Sequence, residues 1–340
     1  MKSHSLKIYL VLLFSFSTFV WAGESKESKI SGLVFGDYYY IFSNHDSDLR
    51  NMNGVWLRRV YFTYDQGLTQ NIDMRLRLEM AHPGDFKTKS AAVPFVKDAY
   101  LKYSLKKAQF YLGVSPTPTF ALIEKVWGYR SIEKTPADLY KLGSSRETGL
   151  AVKGKIGTNN QIFYHAMVGN GNGQKGETNK YKKIMAAVGS NLTSYLVIEG
   201  YADFEQRSSN EKRYSYQGFV AFHQKRLTTG LQFLHQSRKY KDQKDEARAL
   251  LSAFVRARLQ NQLTGFLRID KLFNKLSEGP DISYLPVSDK ARPTLAILGI
   301  DYAMAPGVHL IPNIEVVTYD STKIDNDFVG RITFFYKFSQ

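Results

Sequence analysis

The stretch Ile72–Met80, "IDMRLRLEM", alternates without a break. Ile72, Met74, Leu76, Leu78 and Met80 are aliphatic, and Asp73, Arg75, Arg77 and Glu79 between them are charged. A period of two is the period of a β-strand, whose successive side chains point to opposite faces. One face is therefore wholly apolar and the other wholly ionic. Such a strand has two solvents, and the charged face needs water or counter-charges.

Alternating segments of this kind recur along the chain, separated by turn residues. Sixteen are recognised: 32–42, 55–65, 71–81, 95–105, 109–114, 147–156, 161–168, 182–191, 195–206, 213–225, 229–238, 248–259, 263–272, 293–303, 308–319 and 327–338. Their connections alternate between short and long. Seven are short turns such as "KKA", "LTS", "QNQ" and "MAPG". Eight are longer polar loops, of which 115–146 is the longest. An even number of antiparallel strands, with short turns at one end and long loops at the other, is the pattern of an outer-membrane barrel. The fold expected is all-β: a sixteen-stranded antiparallel transmembrane β-barrel. A soluble sandwich would not sort its connections by length. A propeller would repeat a motif, and none is found.

The N-terminus fits an exported chain. Lys2 and Lys7 precede an apolar run, Ile8–Trp21, and Val20 and Ala22 frame a cleavage point. This reads as a secretory signal peptide over 1–22, with the barrel domain over 23–340. Loss of Lys2 and Lys7 takes the formal charge from +15 to +13. There is no cysteine, and beyond the signal there is no apolar run long enough for a membrane helix. Aromatic residues make up 14%, with 22 Tyr and 22 Phe, which suits the interfacial belts of a membrane barrel. In the last segment Phe328, Ile332, Phe334, Tyr336 and Phe338 share one parity, as in the C-terminal strand read by outer-membrane assembly machinery. Pro312 interrupts the fifteenth segment and predicts a bulge there, or a strand beginning at Asn313.

Several stretches, taken in order, resemble the phosphate-selective porin O/P family. They are "WLRRVYFTYDQGLTQNIDMRLRLEM", "DAYLKYSLKKAQFYLGVSPTPTF", "GYRSIEKTPADLYKLGSSRETGLAVKG" and "AMVGNGNG". The resemblance implies a sixteen-stranded outer-membrane channel, assembled as a homotrimer. The lysine and arginine positions behind phosphate selectivity are not matched one by one.

A barrel of this size encloses water, so charged residues of the strands are expected inside. Parity assigns Arg59, Arg75, Arg77, Lys102, Lys153, Lys155, Arg256, Arg258, Arg268, Arg331 and Lys337 to the lumen. The same rule places Asp65, Asp73, Glu79, Asp98, Glu199, Asp203, Asp270, Asp301 and Glu315 there. Eleven bases against nine acids predict a mild anion preference. The remaining basic charge is expected in loops such as "KYKK" (180–183) and "RKYKDQKDEAR" (238–248), where it either attracts anions or binds lipopolysaccharide phosphates. In the 115–146 loop, "TFALIEKVWGYRSIEK" has a helical pattern. Phe120, Ile123, Val126 and Trp127 form its apolar face. Folded inward, the loop presents Lys125, Arg130 and Lys134 to the channel; folded outward, it covers the mouth or meets a neighbouring subunit.

The function expected is passive diffusion of small anionic or neutral solutes through the outer membrane. The alternative is a non-conducting structural or adhesive barrel. No catalytic reading is supported: there is no cysteine, the histidines stand singly, and no Gly-x-Ser-x-Gly elbow occurs. The glycine-rich "GNGNGQKG" leaves a strand without opening a helix, so it does not read as a phosphate cradle. No cofactor, metal or nucleic-acid partner is expected. If the leader is cleaved as read, N-terminal sequencing of the purified membrane protein will begin at Gly23.

Overall fold

A computed structural model describes residues 27–339 apart from 90, 158–160 and 277–282. The leader expected over 1–22 lies outside the described residues. The strands are β1 (Ser28–Ser43), β2 (Asn53–Gly67), β3 (Ile72–Ala81), β4 (Val93–Leu105), β5 (Ala108–Pro116), β6 (Arg146–Ile156), β7 (Ile162–Gly169) and β8 (Lys183–Asn191). They continue as β9 (Leu196–Gln206), β10 (Glu211–His223), β11 (Leu227–Tyr240), β12 (Glu246–Gln260), β13 (Leu263–Leu272), β14 (Pro293–Ala305), β15 (Val308–Tyr319) and β16 (Asp327–Ser339). Each pairs antiparallel with its neighbours in the chain, and β1 closes the sheet on β16. All sixteen expected segments are strands. Closure pairs the edge that an open sheet would leave free.

The opening stretch becomes β3, with the parity its alternation dictates. Leu76 is on the exposed outer face, while Glu79 on the other face is buried. Leu101, Leu112, Leu150, Ile184, Leu231, Ile269 and Ile332 continue the outer apolar surface on neighbouring strands. Inward residues meet one another and the loops that enter the lumen.

Pro312 behaves differently from expectation. β15 runs straight through it, and Pro312 keeps its partner Ile332 in β16. On the other side, the ladder to β14 lapses between Gly299↔Asn313 and Tyr302↔Leu310 without changing register. The missing N–H is absorbed as a local gap, and the β14 irregularity falls instead between Ala303 and Ala305.

The 117–145 loop folds inside. Its helical part is shorter than the pattern suggested: α1 (Ala121–Trp127) stops at Gly128, whose φ of +73° suits glycine. A second short helix, α2, spans Pro136–Leu139. Phe120, Ile123 and Trp127 pack in one cluster with the inward residues Phe219, Leu234, Leu250, Phe254 and Phe266 of β10–β13. The Trp127 ring lies 5.3 Å from Phe254 and 5.9 Å from Phe266. Wall side chains tie the loop backbone. Gln217 donates to the Thr119 carbonyl (3.0 Å) and Gln236 to that of Leu142 (2.9 Å).

A second inward segment was not expected. In the loop between β13 and β14, Tyr284, Leu285 and Val287 are buried in the barrel. The Tyr284 hydroxyl donates to the His82 carbonyl (2.6 Å), and its N–H donates to that of Gly84 (2.7 Å). Sequence alternation carries no signal for this, because the segment has no strand period.

The glycine-rich turn after β7 has an internal occupant. Glu147 accepts from the backbone N–H of Gly171 (3.0 Å) and of Gly173 (3.1 Å). Both glycines have positive φ, so the turn curls its amides around the protein's own carboxylate. Trp127→Ala is expected to lower stability by about 3–5 kcal/mol, measured as a lower thermal unfolding temperature of the purified barrel.

Candidate functional site

Two bulges shape the lumen wall. In β2 the pairing with β1 jumps from Phe35↔Arg59 to Gly36↔Leu57, so Arg58 is an extra residue. In β4 the pairing with β3 jumps from Arg77↔Asp98 to Leu78↔Val96, so Lys97 is extra. A bulge sets two residues against one and re-aims a side chain. Strict parity would turn Arg58 and Lys97 outward. Instead Arg58 is buried in an inward network, and Lys97 lines the lumen cavity. The signal was present: "RR" at 58–59 and "KD" at 97–98 put adjacent charges within a strand. One of each pair would face lipid at about 2–4 kcal/mol per basic residue, and a bulge removes that cost.

The inward charges are sorted into two populations. The first is buried. Arg58 contacts Asp37 (3.1 Å), Glu133 (3.3 Å) and the Ile132 carbonyl (2.9 Å). Arg331 contacts Asp37 (3.2 Å), Glu315 (3.1 Å) and the Tyr284 carbonyl. Arg268 meets Asp270 (2.6 Å) and the Lys134 carbonyl (2.7 Å). Arg59 meets Glu79 (2.7 Å) and the Tyr284 hydroxyl (3.1 Å). Arg59, Arg268 and Arg331 thus point inward as parity requires, but the inward loops cover them. They fasten those loops to the wall. Burial alone would raise the Glu133 carboxyl, but Arg58 and Lys134 outweigh it and hold it below the usual range. Burial lowers the Lys134 ammonium.

The second population faces an open cavity of about 1180 Å³ between α1 and the short-turn end of the barrel. Its charged lining is Lys29, Arg75, Arg77, Lys97, Lys125, Arg130, Arg146 and Lys337, with Asp65, Glu124 and Asp138. Eight bases against three acids make this space far more basic than the inward-facing residues as a whole. The difference arises because Asp37, Asp98, Glu133, Asp270 and Glu315 are fully buried. Arg130 sits 3.7 Å from Glu124, and Arg75 is held by both oxygens of Asp65 (2.6 and 2.9 Å).

The remaining basic residues lie elsewhere. Lys102 pairs with Asp73 (2.8 Å) beside a smaller cavity of about 300 Å³. Lys153 stands 4.8 Å from the Tyr111 ring, and Arg256 5.8 Å from that of Tyr129. Lys155 and Arg258 are exposed near the short-turn ends of their strands. Some basic residues expected outside are inside: Lys183 meets Asp203 (3.1 Å) and Glu205 (3.4 Å), and Arg238 and Arg248 are buried. Arg146 also belongs to the cavity, although its place at a strand end concealed it from parity.

No protein-family model matches this chain, and no curated protein matches it in sequence. Solved structures do. An anion-selective porin from Comamonas acidovorans superposes with a TM-score of 0.70 at 11% identity, covering 93% of this chain and 100% of that one. The outer membrane channel DcaP of Acinetobacter baumannii gives 0.63 at 13%, covering 94% and 98%. The trimer form of OmpT, an outer membrane protein of Vibrio cholerae, gives 0.62 at 11%, covering 92% and 99%. At these identities the likeness is one of fold: the chain has the sixteen-stranded barrel of outer-membrane porins.

Glu133 sets an expected pH response. Its folded pKa is lowered, so its stabilisation is present above the ordinary glutamate value of about 4.3 and fades as pH falls through the folded value. Docking of the 117–145 loop should therefore weaken in acid, below about pH 4. Protease cleavage within the loop, followed against pH, will report this, and Glu133→Gln should flatten the response.

Proposed function

We propose that the chain is an outer-membrane porin through which small hydrophilic solutes diffuse, with a preference for anions. The observation that carries this reading is the sorting of charge. Asp37, Glu133, Asp270 and Glu315 are buried in the network that holds the inward loops, while eight bases and three acids line the open cavity. Basic walls in a pore favour anions, and the low-dielectric surround focuses their field. The preference should therefore exceed the mild one that an inventory of all inward charges suggests.

The setting follows from the same chemistry. The apolar exterior fits lipid, and an exported chain with a cleaved leader reaches the outer membrane. Trimeric assembly is supported by the resemblance to porin O/P sequences and by the barrel shared with a trimeric neighbour. Basic loop residues such as Lys180 and Lys241 suit lipopolysaccharide phosphates. Phosphate selectivity rests on the sequence resemblance alone.

Purified protein inserted into a planar bilayer under a potassium chloride gradient tests the reading. Open-channel steps with a reversal potential favouring chloride support it. Absence of steps would favour a structural barrel, for which the two lumen-filling loops are the argument. In the double variant Lys125→Glu and Arg130→Glu, the cavity lining changes from eight bases and three acids to six and five. Its reversal potential should move most of the way to zero.

A further inference from the structure

Two of the buried acids lie directly against the cavity's own cations. Asp98 is fully buried on β4. Arg77 of β3 approaches it at 3.3 Å, and Arg146 of β6 donates to it through Nε. Each guanidinium is pinned a second time. Arg77 Nε donates to Thr63 Oγ1 (2.8 Å), and Arg146 Nη1 donates to the Ser145 carbonyl (2.9 Å). Among the described contacts, Nη2 of both arginines has no protein acceptor, and both residues line the cavity. Glu79 plays the same part beside them, bridging the buried Arg59 (2.7 Å) and the cavity-lining Lys97 (2.9 Å).

We propose that Asp98, seconded by Glu79, is a positioning residue for an oxyanion site. It holds Arg77 and Arg146 as a convergent pair whose free N–H groups, with Lys97, receive a doubly charged carboxylate or phosphate. The proposal rests on the channel reading above and deepens it. The chemical reason is preorganisation. Two guanidiniums repel one another, and a shared buried carboxylate keeps them together in one orientation. An incoming anion then does not bear the cost of ordering two long side chains. Guanidinium forks suit carboxylate and phosphate oxygens in two-point contact, which chloride cannot make.

The proposal makes a prediction opposite to charge counting. Removing a negative charge from the wall should raise anion preference if Asp98 merely offsets positive charge. If Asp98 positions the arginines, Asp98→Asn lets them separate. The chloride-over-potassium permeability ratio should then fall about twofold or more. Block of the chloride current by inorganic phosphate or by succinate should be lost. Asp98→Glu should restore both. Glu124→Gln is the contrast: Glu124 lies at the cavity surface with its side chain 39% exposed, and its loss should raise anion preference.

Planar-bilayer reversal potentials of the four proteins, with phosphate and succinate titrated separately, decide the matter. Block by either anion in the wild type supports the oxyanion site and says which source it prefers. Block by neither overturns it. A rise, or no change, in anion preference in Asp98→Asn also overturns it. Should Asp98→Asn yield no folded barrel, Glu79→Gln carries the same expectation through Lys97 and is decided the same way. A wild type without channel steps, or preferring potassium, overturns the channel reading and this inference together.

Discussion

A strand charge in this barrel has one tolerable direction. Outside lies the apolar surface formed by residues such as Leu76, Leu112 and Leu150. Charges in the middle of a strand are therefore satisfied on the inner side, and outward-parity lysines such as Lys212, Lys239 and Lys271 stand at strand ends. The rest of the architecture follows from how that is done. Too many charges crowd the inner wall for all to stay wet, and the two inward loops divide them. Where the loops cover the wall, Arg58, Arg59, Arg268 and Arg331 are each paired with a buried carboxylate, because a buried charge without a partner is strongly destabilising. Where the loops leave it open, cations remain in contact with water.

The buried network joins the two loops through shared partners. Arg58 holds the carbonyl of Ile132 in one loop, and its own carbonyl lies 3.0 Å from the Tyr284 hydroxyl of the other. Arg331 binds the Tyr284 carbonyl and also Asp37, which Arg58 shares. The apolar packing of Trp127 against Phe254 and Phe266 anchors the opposite side of the first loop. That loop is thus clamped between an ionic wall at β1–β2 and β16 and an aromatic wall at β12–β13. The open space lies against β16 and β1–β4, with Arg146 of β6 on its lining beside Arg75, Arg77 and Lys97.

The strands were legible because alternation is a property of neighbours in the chain. β3 could be assigned residue by residue, including which side of the sheet Arg75, Arg77 and Glu79 occupy. The same rule failed at Arg58 and Lys97, where a bulge reverses parity. The adjacent charges there marked the exceptions, since a strict strand would send one of them into the apolar exterior. Pro312 shows the converse. Its chemistry forecast an irregularity, but closure by β16 held the strand straight and confined the defect to one side.

The sequence by itself determined the number of strands, the alternation of short and long connections, and the inward direction of most charges. Each of these depends on local periodicity and on turn residues. Tertiary structure decided which inward charges stay accessible. Asp98 and Asp65 look alike in the sequence, both being acids at inward positions of a strand. One is fully buried beneath two arginines, and the other stands at the cavity surface. That distinction depends on residues far away in the chain: Arg146 for Asp98, and the 117–145 and β13–β14 loops for the wall as a whole. Burial of a charge is set by what folds over it, and periodicity along the chain carries no record of that.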